Sequence, residues 1–177
     1  MDQIDVALNG DGVFQITAAM VDLGSWDNCG PLVRIEIKRQ NATDYASSIY
    51  ADCDDLNSNP LPVVLEVEDQ YGNVSQCTTY VEVNDVTPPV IACPGGIQTV
   101  FTNDGNCSYT QYGTALDATA TDNCSIVSLT HNYPGASDNE TLDGAVFTHG
   151  NTVVRWKARD EGGNTTVCTF VVKVVDD

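Results

Sequence analysis

The sequence has little positive charge to set against its acids. Its 177 residues include 7 Lys and Arg but 25 Asp and Glu, which gives a formal net charge of −18 at pH 7. Proteins that bind nucleic acid neutralise phosphates with basic side chains, and basic clusters also hold proteins on anionic membrane surfaces. The composition therefore excludes nucleic acid as a partner and argues against an anionic membrane surface.

The sequence also lacks a long apolar run and a recognisable leader. No stretch approaches the roughly 20 apolar residues that a membrane-spanning helix requires, so no membrane insertion is expected. Met1 is followed at once by Asp2, without the basic start and apolar core of a signal peptide. We therefore expect the chain to be a piece of a longer exported protein, with Met1 as an added start.

Histidine is scarce, and no catalytic pattern is readable. The two histidines, His131 and His149, stand in ordinary strand or turn contexts and are predicted to be surface residues. No Gly-rich phosphate loop follows a strand and opens a helix, and the cysteines form no Cys-x-x-Cys pair of the kind that holds zinc. The sequence therefore predicts neither an enzyme nor a zinc site.

Cysteine, by contrast, is abundant. Seven cysteines in so short a chain are unusual for a reducing compartment and favour disulfide bonds. We therefore expect an extracellular, cell-surface location. An odd count leaves one thiol without a partner in the chain.

The sequence contains a repeat. Three pairs of features recur at nearly one spacing. They are Asp69…Asn73 with Asp160…Asn164 and Cys77 with Cys168, each 91 positions apart, and Asp27-Asn-Cys29 with Asp122-Asn-Cys124, 95 positions apart. A shared offset of this kind indicates a repeated structural unit. We predict two domains, residues 1–85 and 86–177, with a stiff Pro-Pro linker at about 85–89.

The segments between turn residues are short and rich in β-branched side chains. Residues 63–68 and 168–174 are typical, and no helical stripe is present. This pattern predicts an all-β chain of two tandem immunoglobulin-like antiparallel β-sandwich domains.

The order of motifs in the second copy resembles a known extracellular module. The chain runs through Cys93-Pro94, Asp104-Gly-Asn-Cys107, Asp122-Asn-Cys124 and Asp160-Glu-Gly-Gly-Asn164 to the closing strand at 168–174. This order resembles the hyalin repeat (HYR), an immunoglobulin-like module. The first copy lacks the opening Cys-Pro and resembles a degenerate repeat.

Tandem modules of this kind are similar to the stalks of large bacterial surface adhesins, and those of the Bacteroidetes, including gliding adhesins, come closest. The resemblance implies cell adhesion, surface display or gliding motility without catalysis. The partners it implies are neighbouring repeats of the same chain and, as an alternative, surface glycans or proteins.

The immunoglobulin-like topology suggests a disulfide pattern. The loops that contain Asp122 and Asp160 meet at one end of such a sandwich, so Cys124 and Cys168 could bridge them. The three predicted bridges are Cys93–Cys107, Cys124–Cys168 and Cys29–Cys77. Spacing does not fix connectivity, and Cys53 could displace Cys77 as the partner of Cys29; otherwise Cys53 is the remaining thiol.

Acidic residues are also expected at the end of the sandwich where these loops meet. Asp85 in the link enters where Asp122 and Asp160 project, and three converging carboxylates would repel one another without a cation. Calcium takes six to eight oxygen ligands and would stiffen the link, so we name calcium as a candidate cofactor. The alternative is that each Asp caps its own turn, and the two roles are compatible.

Other candidate residues lie in the first copy. Asp5, Asp27 and Asp69 repeat the acidic arrangement, and Asp52 and Asp54 lie in a separate acidic loop that could hold a cation. Trp26 and Tyr71 are the candidates for binding a ligand through exposed aromatic rings, whereas Trp156 is predicted to be a core residue. These residues keep two functions open, a structural stalk and a binding module.

Overall fold

The computed structural model describes residues 4–103, 105–136 and 138–176. Met1, Asp2 and Asp104, which enter the sequence analysis, lie outside these residues. The chain divides into two compact units, Met1–Thr87 and Pro88–Asp177. Strands dominate both units, as the alternating pattern predicted, and each unit packs two small layers of strands around its own core.

The described residues of the first unit form six strands and two short helical segments. The strands are β1 (Ile4–Ala7), β2 (Val13–Thr17), β3 (Leu32–Arg39), β4 (Ser48–Asp52), β5 (Leu61–Asp69) and β6 (Val74–Asn84). The helical segments are α1 (Ala18–Val21) and a 3₁₀ helix (Cys53–Ser58). One sheet has the order β1-β6-β5-β3, and β2 pairs with β4 in the other.

The core of the first unit follows from the two-residue period of its strands. Leu61, Val63 and Leu65 of β5 are buried, since alternate side chains of a strand point to one face. The same register puts Asp69, at the end of β5, on the inward side. Neighbouring strands pair antiparallel except for β1, which runs parallel to β6 from the Ile4–Val81 pair onward.

In the second unit, eight strands are found within the part of the chain that the structure describes. They are β7 (Val90–Ala92), β8 (Ile97–Phe101), β9 (Ser108–Thr110), β10 (Thr119–Thr121), β11 (Ile126–His131), β12 (Val146–Thr148), β13 (Gly150–Asp160) and β14 (Thr165–Val175). The large sheet has the order β11-β13-β14-β8. Two small pairs, β10 with β7 and β12 with β9, complete the sandwich.

Trp156 anchors the core of the second unit. The predicted burial of this residue is confirmed, because its side chain is fully enclosed together with Phe147 and Leu142. Alternate residues of β13 are buried through Trp156 and Ala158 to Asp160, so the strand period carries a carboxylate onto the inward face.

The prediction that both histidines are surface residues is wrong for His131. This residue is buried, and its ring meets Trp156 edge to face with centroids 4.9 Å apart. The Tyr133 amide donates to His131 Nδ1 at 3.1 Å, which leaves Nε2 to donate to the Thr141 carbonyl at 3.0 Å. His131 is thus a hydrogen-bonded core residue.

The predicted disulfide pattern is also wrong. Cys93 bonds to Cys168, with the two Cα atoms 5.9 Å apart. The predicted pairs Cys93–Cys107 and Cys124–Cys168 therefore do not form. The reason is the parallel pairing of β8 with β14, which begins at Ile97 opposite Val171 and leads the preceding chain back towards Cys168. β9 pairs with β12 and not with β8, so no hairpin brings Cys107 to Cys93.

The remaining cysteines also differ from the prediction. Cys29, Cys77 and Cys107 are exposed free thiols, so the predicted Cys29–Cys77 bridge is not formed. Cys53, expected as a remaining thiol or a partner of Cys29, is disulfide-bonded, and so is Cys124. Spacing along the chain could not reveal these outcomes, because they depend on which strands become neighbours.

Within the described residues, no helix is both long enough and apolar enough to cross a membrane.

Candidate functional site

Three of the predicted metal ligands lie together. One carboxylate oxygen from each of Asp85, Asp122 and Asp160 can be chosen so that all three lie within 4.8 Å of one another. Asp85 follows the last residue of β6, Asp122 follows β10, and Asp160 ends β13. We call these three residues the aspartate cluster. Among the described residues, no other set of three or more acidic, Cys or His side chains meets this criterion.

Each member of the aspartate cluster also caps its own turn. Oδ1 of Asp85 accepts from the Thr87 amide at 3.1 Å, and Oδ1 of Asp122 accepts from the Cys124 amide at 3.1 Å. Oδ1 of Asp160 accepts from the Asn164 amide at 2.7 Å. These bonds fix the side chains in place with one oxygen each.

Asp160 distinguishes the cluster from a set of turn caps. Its side chain is 1% exposed, and its Oδ2 has no hydrogen-bond partner among the described residues. A buried carboxylate oxygen is costly unless a donor or a cation compensates it. The donor set is all oxygen, which is the set that calcium prefers, so the cluster fits a hard divalent cation.

The corresponding residues of the first unit do not form such a cluster. Oδ1 of Asp69 accepts from the amides of Tyr71 and Asn73, at 2.7 and 2.9 Å, and Oδ2 accepts from Asn73 Nδ2 at 2.7 Å. The Asn73 side chain is the main cause that holds the pKa of Asp69 below its ordinary value. Asp27 accepts from the Cys29 amide at 2.8 Å. The structure therefore uses Asp27 and Asp69 as turn caps and does not bring them together with Asp5.

The acidic loop at 52–57 is paired with a cationic side chain from another element, Arg39 at the end of β3. Asp52 caps the 3₁₀ helix, with its side chain accepting from the Asp54 amide at 3.2 Å. Asp55 is buried and forms a two-pronged contact with Arg39, at 2.5 and 2.7 Å. Burial opposes the charged form of Asp55, but the Arg39 hydrogen bonds outweigh it and lower the pKa. Sequence reasoning missed Arg39, since 16 residues and a strand separate it from Asp55.

The two aromatic candidates are exposed. Trp26 is 80% exposed and Tyr71 is 70% exposed. Trp26 lines a groove of about 670 Å³ in the first unit, between residues 21–27 and the outer edge of β6. Leu32 and Leu65 contribute apolar surface to this groove.

Comparison with known proteins identifies a family that matches the second unit. The family model described as HYR domain matches residues 84–174, a segment that includes the whole aspartate cluster. Hyalin of Lytechinus variegatus is 34% identical over 112 residues, which is 62% of this chain and 19% of the hyalin chain.

Solved structures show a general likeness. The insect immune protein hemolin aligns over 97% of this chain and 45% of its own, with a TM-score of 0.47 and 11% identity. Human protocadherin-24 EC1-2 aligns over 98% of this chain and 95% of its own, with a TM-score of 0.39 and 17% identity. At these scores the likenesses carry no argument about function.

Proposed function

The chain belongs to the HYR domain family, and from this premise we propose that it is a non-catalytic, extracellular repeat segment of an adhesion-type surface protein. The observation that carries the proposal is the family match over residues 84–174, followed by the repetition of the same strand order in the preceding unit. The Cys93–Cys168 bond supports an oxidising, extracellular location.

Within that role, we propose that the chain is a stalk whose partners are neighbouring repeats. The Thr87-Pro-Pro89 segment between the two units supports this proposal, since prolines restrict the backbone of a linker. The narrower setting that we propose is a bacterial gliding adhesin, which rests on the resemblance given above. The curated relative is a sea-urchin protein.

We further propose that the aspartate cluster holds a calcium ion. The ion would compensate the buried Oδ2 of Asp160 and would tie Asp85 to the turns that follow β10 and β13. In this way calcium would stiffen the entry to the HYR domain.

A thermal melt tests the calcium proposal. A ligand that binds only the folded state stabilises it by about 2.7 kcal/mol at a hundred times its Kd, so millimolar calcium should raise Tm relative to chelator. Asp160→Asn should abolish the shift, because it removes the buried charge and retains an oxygen for the Asn164 amide. The matched control is Asp69→Asn in the first unit, which should leave the calcium shift intact. An equal Tm with calcium and with chelator contradicts the proposal.

The second candidate function is a glycan- or protein-binding module, and the exposure of Trp26 and Tyr71 favours it. Aromatic rings that remain exposed beside a groove are typical of binding surfaces. This function differs from a stalk because it requires the isolated chain to bind a ligand.

Adhesion of coated beads separates the two functions. Beads that carry the chain alone should not adhere to glycan arrays, whereas beads that carry the chain as a spacer under a known sugar-binding domain should adhere through that domain. Adhesion by the chain alone that disappears in Trp26→Ala would favour the binding module and count against the stalk.

A further inference from the structure

The groove in the first unit is bounded by an irregular segment on one side and by a strand with a partly unpaired edge on the other. Gly24–Asp27 runs along one wall of the groove and forms no strand, and its Gly24 and Ser25 amides donate to Oδ1 of Asp22 at 3.2 and 2.7 Å. On the other wall, β6 pairs with β5 from Val74 onward, but its outer edge gains a described partner only at Val81, where β1 begins. An unpaired strand edge is a template for another strand.

In the second unit, β7 occupies the position that corresponds to the groove. The offset of the Asp-Asn-Cys motifs relates residues 24–26 to β10, and the offset of the Cys77 and Cys168 motifs relates the first half of β6 to that of β14. In the second unit β7 pairs antiparallel with β10, through Thr119–Ala92 to Thr121–Val90. Cys93 then bonds to Cys168 of β14. One short strand followed by a cysteine thus joins both walls.

The described residues of the first unit keep the thiol and the apolar floor of this arrangement, but neither β7 nor β10 has a counterpart strand there. Cys77, the counterpart of Cys168, lines the groove as an exposed free thiol. The floor retains apolar side chains, Leu65 and Val67 among them, and the wall residues Leu23 and Trp26 are 73% and 80% exposed. The apolar surface, the open edge of β6 and the thiol therefore match the chemistry of Val90-Ile-Ala-Cys93.

The direction of β1 indicates where the missing strand comes from. Since β1 runs parallel to β6 from the Ile4–Val81 pair, the amino-terminal end of β1 faces the half of β6 that contains Cys77. In the second unit the chain that precedes β8 approaches β14 in the same way, and Gly96 accepts from the Val171 amide at 3.2 Å. The groove is thus continuous with the β1–β6 pairing.

We propose that this groove binds a strand of the β7 type, an extended apolar segment followed by a cysteine, supplied by the link from a preceding repeat. The strand pairs with residues 24–26 in place of the hydrogen bonds that the Gly24 and Ser25 amides donate to Asp22, and its cysteine forms a disulfide with Cys77. This inference rests on the proposed function, because it requires a tandem array. The bond forms when both thiols exchange with a low-molecular-weight disulfide, which leaves as two reduced thiols.

A peptide with the sequence of residues 86–95 is a suitable probe, with its cysteine carried as a mixed disulfide with thionitrobenzoate. The Cys77 thiolate attacks the peptide sulfur, and thionitrobenzoate leaves as the thiolate, so one S–S bond forms as one breaks. Docking raises the local concentration of the peptide, so Cys77 should react about tenfold or more faster than Cys29 and Cys107. A scrambled peptide should show no preference among the three thiols.

A non-covalent readout separates docking from thiol reactivity. With Cys77→Ser, the peptide should still shift the fluorescence of Trp26, and Trp26→Phe should remove that change. Equal rates at the three thiols with both peptides would overturn the proposal, as would an unchanged spectrum. Disulfide-linked dimers through Cys77 without peptide would assign the groove to a second copy and also overturn it. None of these outcomes bears on the calcium shift or on the bead assay.

Discussion

The two units are built to one plan, but the opening strand of the second unit has no counterpart among the described residues of the first. Strands β1 to β6 correspond in order to β8, β9, β11, β12, β13 and β14. In the described residues of the first unit, β7 and β10 have no counterpart strand. This difference indicates that the strand conformation of β10 depends on pairing with β7, because residues 24–26, at the corresponding position, are irregular and have no described strand beside them.

A second difference concerns the aspartates that end β5 and β13. Both lie on the inward register of their strands and both accept from the amide of an asparagine four residues later. Asn73 adds its side chain to the second oxygen of Asp69, whereas Oδ2 of Asp160 has no hydrogen-bond donor among the described residues. The same motif is therefore a closed turn in one unit and a candidate ion ligand in the other.

The largest expected effect comes from the core residues at corresponding positions, Trp156 and Leu65. Trp156→Ala should lower the free energy of unfolding of the second unit by about 3–5 kcal/mol, and Leu65→Ala that of the first unit by about 2–5 kcal/mol. Hydrogen exchange measured separately in β13 and β5 checks the assignment. Val153→Ala is the control, because Val153 is 62% exposed and should change stability by less than about 0.5 kcal/mol.

The next effect concerns the opening strand. Cys93→Ser removes a bond that joins positions 75 residues apart, which should destabilise the second unit by about 2–4 kcal/mol in urea unfolding. Cys77→Ser is the matched variant in the first unit. It should change stability little, because Cys77 is a free, exposed thiol. A loss of similar size in both variants would break the comparison between the units.

The smallest expected effect is a difference in acid sensitivity. Among the described residues of the first unit, four carboxyl groups have pKa values below their ordinary values. They are Asp22, Asp55, Glu66 and Asp69. In the second unit, Asp138 is the described carboxyl group with a resolved lowering of its pKa. A depressed folded-state pKa contributes stability that is present above the unfolded value, near 4, and is lost as pH falls through the folded value.

The first unit should therefore lose more stability than the second between about pH 5 and pH 2. Methyl signals of Val63 and Val154, buried in the first and second units, would report each unit separately by NMR. A second unit that unfolds first on acidification would contradict this expectation.

The sequence predicts the strands and the repeat well, because alternating burial along β5 and β13 is a local property and the 91-residue offset is visible by inspection. It also predicts that Asp85, Asp122 and Asp160 converge, because their loops share one end of the sandwich. The pairing of Cys93 with Cys168 could not be predicted in this way, since it depends on the parallel register of β8 on β14. Arg39 was missed for a similar reason, because its contact with Asp55 forms only after the strands assemble.

The central claim is that a disulfide ties the opening strand of the second unit to β14, whereas the corresponding cysteine of the first unit, Cys77, is a free thiol beside the groove. Peptide mapping of the native chain, alkylated without reduction, tests this claim most directly. We expect a crosslinked peptide containing Cys93 and Cys168, together with alkylation of Cys77. A Cys29–Cys77 crosslink, or Cys168 joined to Cys124, would contradict the account.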